Sequence, residues 1–284
     1  MTRASLRGDA ESLWTAALRA VQPEHLVAER LVLAADGSLR RMPHDAESAG
    51  IRIDAAGKIV VVGGGKAAAG LAAGFEKLLG PDRLGRHRVS GLVSVPQGSG
   101  RRLERIEVRE TRPAESNLPT QAVVQATHEM LDRVSRMERR DLAVAVITGG
   151  GSALLAAPRA GVTLEEKIAV TRRLSRSGAD IASLNAVRRT MSVVKAGGLA
   201  RACTAGDLLV LVLSDVIGDD LDVIASGPCM PQEATVPPGC WTTPSGCRVH
   251  HLLVGHNQTA VTAASRSPTS SARASGPPGA ATTS

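Results

Sequence analysis

Two glycine-rich segments hold the residues best suited to chemistry. Residues 59–70 read Ile-Val-Val-Val-Gly-Gly-Gly-Lys-Ala-Ala-Ala-Gly, an apolar run ending in Gly63, Gly64 and Gly65, followed by Lys66 and a helix-forming stretch. The apolar run 142–147 leads in the same way into Thr148, Gly149, Gly150, Gly151 and the hydroxyl of Ser152. Glycines at a strand exit let an oxyanion approach the backbone, the N–H groups of the following helix start face it, and a lysine adds a full positive charge. One such exit is compatible with a tight turn, whereas a pair in one chain favours ligand binding.

Further polar residues follow later apolar runs. After 208–213 come Ser214, Asp215, Gly218, Asp219 and Asp220, then Ile-Ala-Ser-Gly-Pro with Ser226 and Gly227. A carboxylate at a strand exit suits Mg²⁺, which keeps several waters and needs few protein oxygens, and Asp215 is the candidate. Asp219 and Asp220 read equally well as solvated loop acids. Over residues 181–200 a helical wheel puts Asn185, Arg188, Ser192 and Lys195 on one face, beside an apolar stripe of Leu184, Val187, Met191 and Val194. A cationic stripe bordering a buried face suits the wall of a cleft that takes an anion.

The elements that must position these groups alternate between strand and helix. Helical spacing covers residues 9–32 with a break at Pro23, then 67–79 closed by Gly80-Pro81, then 118–134, and another helix from Thr163, where Thr163 and Glu166 form a capping box. Strand-like runs lie at 58–62, 89–95, 105–109, 142–147 and 208–213. This alternation predicts an α/β fold with a mostly parallel sheet covered on both faces, and such sheets bind ligands beyond the carboxyl ends of their strands. Residues 251–264 read as a strand, a loop and a helix start. Residues 265–284 have no large apolar side chain and are expected to stay disordered.

Composition removes several function classes. The net charge of +7 comes from scattered arginine, and with no Tyr, one Phe and two Trp the chain lacks the rings on which single-stranded nucleic acid stacks. Cys203, Cys229, Cys240 and Cys247 form no CxxC pair, and their spacing to His250, His251 and His256 fits no common zinc site. The N-terminus has no apolar core of signal-peptide length and no segment is apolar enough to span a bilayer, so a cytoplasmic protein without membrane or nucleic-acid partners is expected.

The first glycine loop matches G-x-G-x-x-A, yet the run 91–96 ends without the acid that would hold a dinucleotide ribose. A phosphate-binding Walker loop fails too, because Val60 stands at its first glycine and Ala67 follows the lysine. The blocks 62–67, 117–119, 148–155, 163–167, 184–189, 195–200 and 213–228, taken together, resemble the type II glycerate kinases of the MOFRL group, some of which have been labelled hydroxypyruvate reductases. The resemblance runs from about residue 10 to 228.

It implies a Rossmann-like, three-layer α/β/α N-terminal domain, a smaller C-terminal α/β domain, and an active site between them. It further implies ATP and Mg²⁺ as cofactors and D-glycerate as substrate, giving 2-phosphoglycerate, and leaves a homodimer open. Lys66 and Arg188 would act on the transferred phosphoryl group. Gly64, Gly65, Gly150, Gly151, Ser152, Asn185, Lys195, Ser214, Ser226 and Gly227 would bind substrate or phosphate, and Asp215 the metal. Residues 1–228 correspond to the first domain, 229–264 to an atypical connector with a remnant of the second, and 265–284 to the tail. The chain therefore reads as truncated, and an inactive remnant that keeps an anion-binding domain is the alternative to a kinase, with hydroxypyruvate reduction a third reading.

Overall fold

A computed structural model of the chain describes residues 3–42, 50–231 and 240–255. It begins with α1 (Arg3–Ala20) and α2 (Pro23–Arg30), the latter opened by Pro23 at a position where a missing N–H costs nothing. A small antiparallel sheet follows, built from β1 (Leu31–Leu33), β2 (Ser38–Arg41) and β3 (Ile51–Arg52). The main sheet and its helices then alternate: β4 (Ile59–Gly64), α3 (Ala68–Arg86), β5 (Ser90–Pro96), β6 (Ile106–Arg112), α4 (Gln121–Ser135) and β7 (Leu142–Thr148). Four helices, α5 (Gly151–Leu154), α6 (Leu164–Arg176), α7 (Ile181–Thr190) and α8 (Gly198–Ala202), precede β8 (Asp207–Leu213), and β9 (Cys240–Thr242) and β10 (Arg248–Gly255) close the described chain.

The seven strands lie in the order β6-β5-β4-β7-β8-β10-β9. All neighbouring pairs are parallel except β10 and the edge strand β9. The six parallel strands thus follow the doubly wound 3-2-1-4-5-6 order, which reverses direction between β4 and β7. Both glycine-rich segments leave the sheet there, so the topology sets them side by side at the switch point.

Alternate side chains of the strands serve two cores. Val61, Val93, Val144, Val146, Leu211 and Val254 pack under α2 and α3 with Leu71 and Phe75. Val62, Leu92, Ala145, Val210 and Val249 pack under α4 and α8 with Met130 and Leu199. Every residue of β4 and β7 is buried, as expected for central strands covered on both faces. A buried carboxylate, Glu76 on α3, accepts the backbone N–H groups of Glu104, Arg105 and Ile106 at 2.8–2.9 Å and fixes the start of β6.

The structure departs from the sequence-based expectation in four places, the first being Leu31 and Val32, which leave the anticipated helix and pair with β2. Gly80 does break α3, at φ 71°, but Pro81 opens a further helical piece that runs to Arg86 instead of ending the element. The helix projected over 181–200 ends at Thr190, so Ser192 and Lys195 lie on an irregular segment and the shared wheel face holds only for Asn185 and Arg188. Residues 240–242 and 248–255, which the sequence sets apart from the first domain, are strands of the same sheet, β10 pairing along β8 from Arg248 to Gly255. The anticipated helix start after His256 and the low-complexity tail lie outside the described residues.

Candidate active site

The first strand exit is built to let β4 meet β7. A Cβ on Gly63 would stand 2.0 Å from the Val146 carbonyl oxygen, and one on Gly65 2.0 Å from Thr148 Oγ1, both at φ near +148°. These glycines therefore let β4 pack closely against Val146 and Thr148. The N–H groups anticipated as an anion cradle are also engaged: Gly65 donates to the Ser94 carbonyl at 3.1 Å, Lys66 to the Gly149 carbonyl at 2.8 Å and Ala67 to Thr148 Oγ1 at 3.1 Å. What this exit offers to a ligand is the exposed side chain of Lys66.

The second exit collects the polar groups. Gly150 adopts φ 78°, and a Cβ there would lie 3.3 Å from Lys66 Cγ and 3.6 Å from Arg112 Nη2. Gly149 packs against the exposed Asp215, whose Oδ2 would be 2.1 Å from a Cβ at that position. Gly151 brings the loop onto Gly64 and Ala225, with a Cβ there falling 3.0 and 2.9 Å from the Gly64 oxygen and the Ala225 Cβ. Ser152 and Ser226 share a hydrogen bond of 3.0 Å between their hydroxyls, and Ser226 Oγ lies 3.2 Å from Asn185 Oδ1. One polar chain thus links the β7 exit, the 225–227 turn and α7.

That turn is strained. Ala225, Ser226 and Gly227 take φ of 52°, 63° and 61°, a left-handed run that non-glycine residues seldom adopt. It is held by the buried Lys195, whose Nζ donates to the Ala225 carbonyl at 2.9 Å, and by the N–H groups of Ala196 and Gly197, which donate to the carbonyls of Ser226 and Gly227. Lys195 is therefore brought to the site by a turn, with Ala196 itself at φ 49°.

Lys195 sits among cations. Burial, with the charges of Arg188, Lys167 and Arg189 near it, pushes its ammonium well below the ordinary lysine value. Lys167 is likewise lowered to about 8 by burial and by Arg188, and burial lowers Arg188. Arg189 is tied to Asp222, whereas among the described residues no acid pairs with Arg188. Lys195, Lys167 and Arg188 thus form a buried cluster of positive charge that an anion would stabilise.

Of the other anticipated residues, Gly64 and Gly65 lie within the packed exit of β4, and Ser214 turns its hydroxyl onto its own loop, accepting from the Val216 N–H at 3.1 Å. Sequence reasoning missed Lys167, Thr148 as the pin between the two exits, and Arg112, the last residue of β6, which is 1% exposed. Arginine in a strand that already carries Glu107, Arg109 and Glu110 is an ordinary edge residue, and only the parallel placement of β6 brings it to the switch point. Among the described residues no three His, Cys, Asp or Glu side chains gather as a metal cluster. No helix among them is long and apolar enough to cross a membrane.

Residues 9–243 match the family model described as a domain of unknown function, DUF4147. The chain belongs to the DUF4147 family. It is 36% identical over 244 residues to the glycerate kinase of Danio rerio, an alignment covering 81% of the chain and 46% of the relative. Among solved structures, the glycerate kinase of Thermotoga maritima superposes with a TM-score of 0.70 at 28% identity, over 92% of this chain and 61% of that one. A protein of Pyrococcus horikoshii gives a TM-score of 0.73 at 26% identity, over 92% and 62%. This DUF4147 chain thus has the α/β fold of those proteins and spans under half the length of the Danio rerio relative.

Proposed function

We propose that the crevice over β4 and β7 takes ATP and D-glycerate and transfers the terminal phosphoryl group to the 2-hydroxyl, leaving ADP and 2-phosphoglycerate. The observation that carries this reading is the meeting of Lys66, the Gly149–Ser152 loop, Ser226, Asn185 and the Arg188 wall at the switch point of a sheet in a DUF4147 chain similar to glycerate kinases. Phosphoryl transfer asks a protein mainly for positioning and for charge on the oxygens in flight. Lys66, exposed on a flexible stem, meets the moving oxygens as a point charge, and Arg188 neutralises phosphate from the α7 side. Asn185, Ser152 and Ser226 supply hydrogen bonds that set its orientation.

The donor set fits Mg²⁺ in the manner in which nucleotide enzymes hold it. Asp215 offers one exposed carboxylate against Gly149, and Mg²⁺ takes one or two carboxylates, waters and phosphate oxygens. Bound there, the ion would add positive charge beside the phosphates. The end of β5 runs Ser-Val-Pro without an acid for a ribose, which disfavours hydroxypyruvate reduction with a nicotinamide cofactor.

The test is ADP formation from Mg-ATP and D-glycerate by the purified chain, with the Lys66→Ala protein as control. Product identified as 2-phosphoglycerate supports the reading, and equal rates with and without Lys66 remove it. Binding of either ligand without turnover is the second reading. A thermal shift by either ligand with no ADP formed would establish that one instead.

A further inference from the structure

Arg112 is a buried guanidinium with half of its hydrogen-bonding edge unused. Its Nη1 donates to the carbonyls of Pro113 and Ala114 at 3.0 and 3.5 Å, while Nε and Nη2 are buried and have no partner among the described residues. No acid pairs with it there, and burial lowers its pKa from the usual arginine value. Leaving a charged donor pair dry is costly, so the arrangement calls for a group that completes it.

The orphaned pair has a defined shape. Nε and Nη2 form the side-on fork that grips a carboxylate by two parallel bonds. The same edge does so at two other arginines among the described residues. Arg83 holds the two oxygens of Asp54 through Nε and Nη2 at 2.8 and 3.3 Å, and Arg248 holds those of Asp207 at 2.8 and 2.7 Å. At Arg112 the fork stands at the carboxyl end of β6, with Nη2 3.6 Å from where a Gly150 Cβ would be. The left-handed glycine keeps that position free of a side chain, and the exposed Lys66 stem lies beside it.

We propose that Arg112 binds the carboxylate of a small hydroxy acid through its Nε and Nη2 edge, orienting the acid beneath Lys66. The inference rests on the reading that this crevice takes such an acid. The cationic groups then have separate roles, the rigid, buried fork reading the planar carboxylate and the exposed lysine following the moving phosphoryl oxygens. Such a role also explains why a costly unpaired arginine persists at the switch point.

The test titrates D-glycerate, D-lactate, inorganic phosphate and Mg-ATP separately into the wild-type chain, Arg112→Met and Arg112→Lys, with melting curves for all three. The expected result is D-glycerate and D-lactate binding weakened about tenfold or more in both variants, since lysine keeps the charge and loses the fork. Mg-ATP affinity should change less than about twofold, and Arg112→Met should melt no lower than wild type because it removes an uncompensated buried charge. A structural arginine would lower the melting temperature and leave acid affinity alone, which overturns the inference. So does a wild type that binds neither acid, or phosphate affinity lost while acid affinity stays. Should Arg112→Met not fold, Arg112→Lys alone decides. Arg112-dependent acid binding without ADP formation would keep this inference and remove the kinase, whereas ADP formation with an unchanged KM for D-glycerate in the variants would do the reverse.

Discussion

The two glycine-rich strand exits look alike in sequence and do different work. At the β4 exit the glycines meet the Val146 carbonyl and the Thr148 hydroxyl, and the N–H groups of residues 65–67 are held by Ser94, Gly149 and Thr148. At the β7 exit, Gly149 and Gly150 meet the side chains of Asp215, Lys66 and Arg112, and Ser152 reaches Ser226. The first exit is scaffold with one lysine projecting from it, and the second is where polar groups converge. A triple glycine is thus no guide by itself to whether a loop cradles a ligand or another strand.

Substitutions break this comparison in order of size. Gly63→Ala puts a methyl group onto the Val146 carbonyl at an unfavourable φ, which should destabilise the fold by about 3 kcal/mol or more in urea denaturation. Gly150→Ala, at φ 78° and with the flexible Lys66 stem as its nearest neighbour, should cost only about 1 kcal/mol and act on ligand affinity instead. If both substitutions unfold the chain equally, the two exits are equally structural. Lys66→Ala isolates the projecting group: kcat/KM in the Mg-ATP and D-glycerate assay should fall about 100-fold or more, with stability changed by less than about 0.5 kcal/mol.

Two smaller effects sharpen the picture. Thr148→Val keeps the shape and removes the hydroxyl that accepts the Ala67 N–H, so stability should drop by about 1–2 kcal/mol and the loops should separate in hydrogen exchange at Ala67. Lys167 gives a pH signature. Its folded pKa of about 8 lies below the ordinary lysine value, so between these pH values the unfolded chain binds the extra proton and stability rises with pH. Below about 8 the lysine is charged in both states and its burial costs most. Relative to Lys167→Met, the wild type should therefore gain on the order of 1 kcal/mol between pH 8 and pH 10, read from urea midpoints.

Much of the fold was legible along the chain. Continuous apolar runs of strand length at β4, β7 and β8, each ending in glycine or polar residues, marked buried parallel strands and the ends at which a ligand would sit. The Thr163 capping box formed as read, with Thr163 accepting the Glu166 N–H at 3.1 Å and Glu166 accepting the Thr163 N–H at 2.8 Å. Less legible was the path after Thr190. Helical spacing of Leu184, Val187, Met191 and Val194 continued the pattern, but left-handed Ala196 and Gly197 and the anchoring of Lys195 on Ala225 turned the chain away. Local periodicity cannot register a contact made 30 residues later.

The sequence by itself determined the alternation of strands and helices, the places where strands end in glycine, and the polar residues that follow them, Lys66, Ser152 and Asp215, because these follow from short-range patterning and side-chain chemistry. Only the tertiary structure decided which backbone donors are taken, which exit gathers the polar groups, and that Arg112, the last residue of β6, is buried near Gly150 with Nε and Nη2 unpaired among the described residues. Those outcomes depend on partners far apart in the chain, such as Ala67 and Thr148 at a separation of 81 residues, and on the burial that makes an unanswered guanidinium informative.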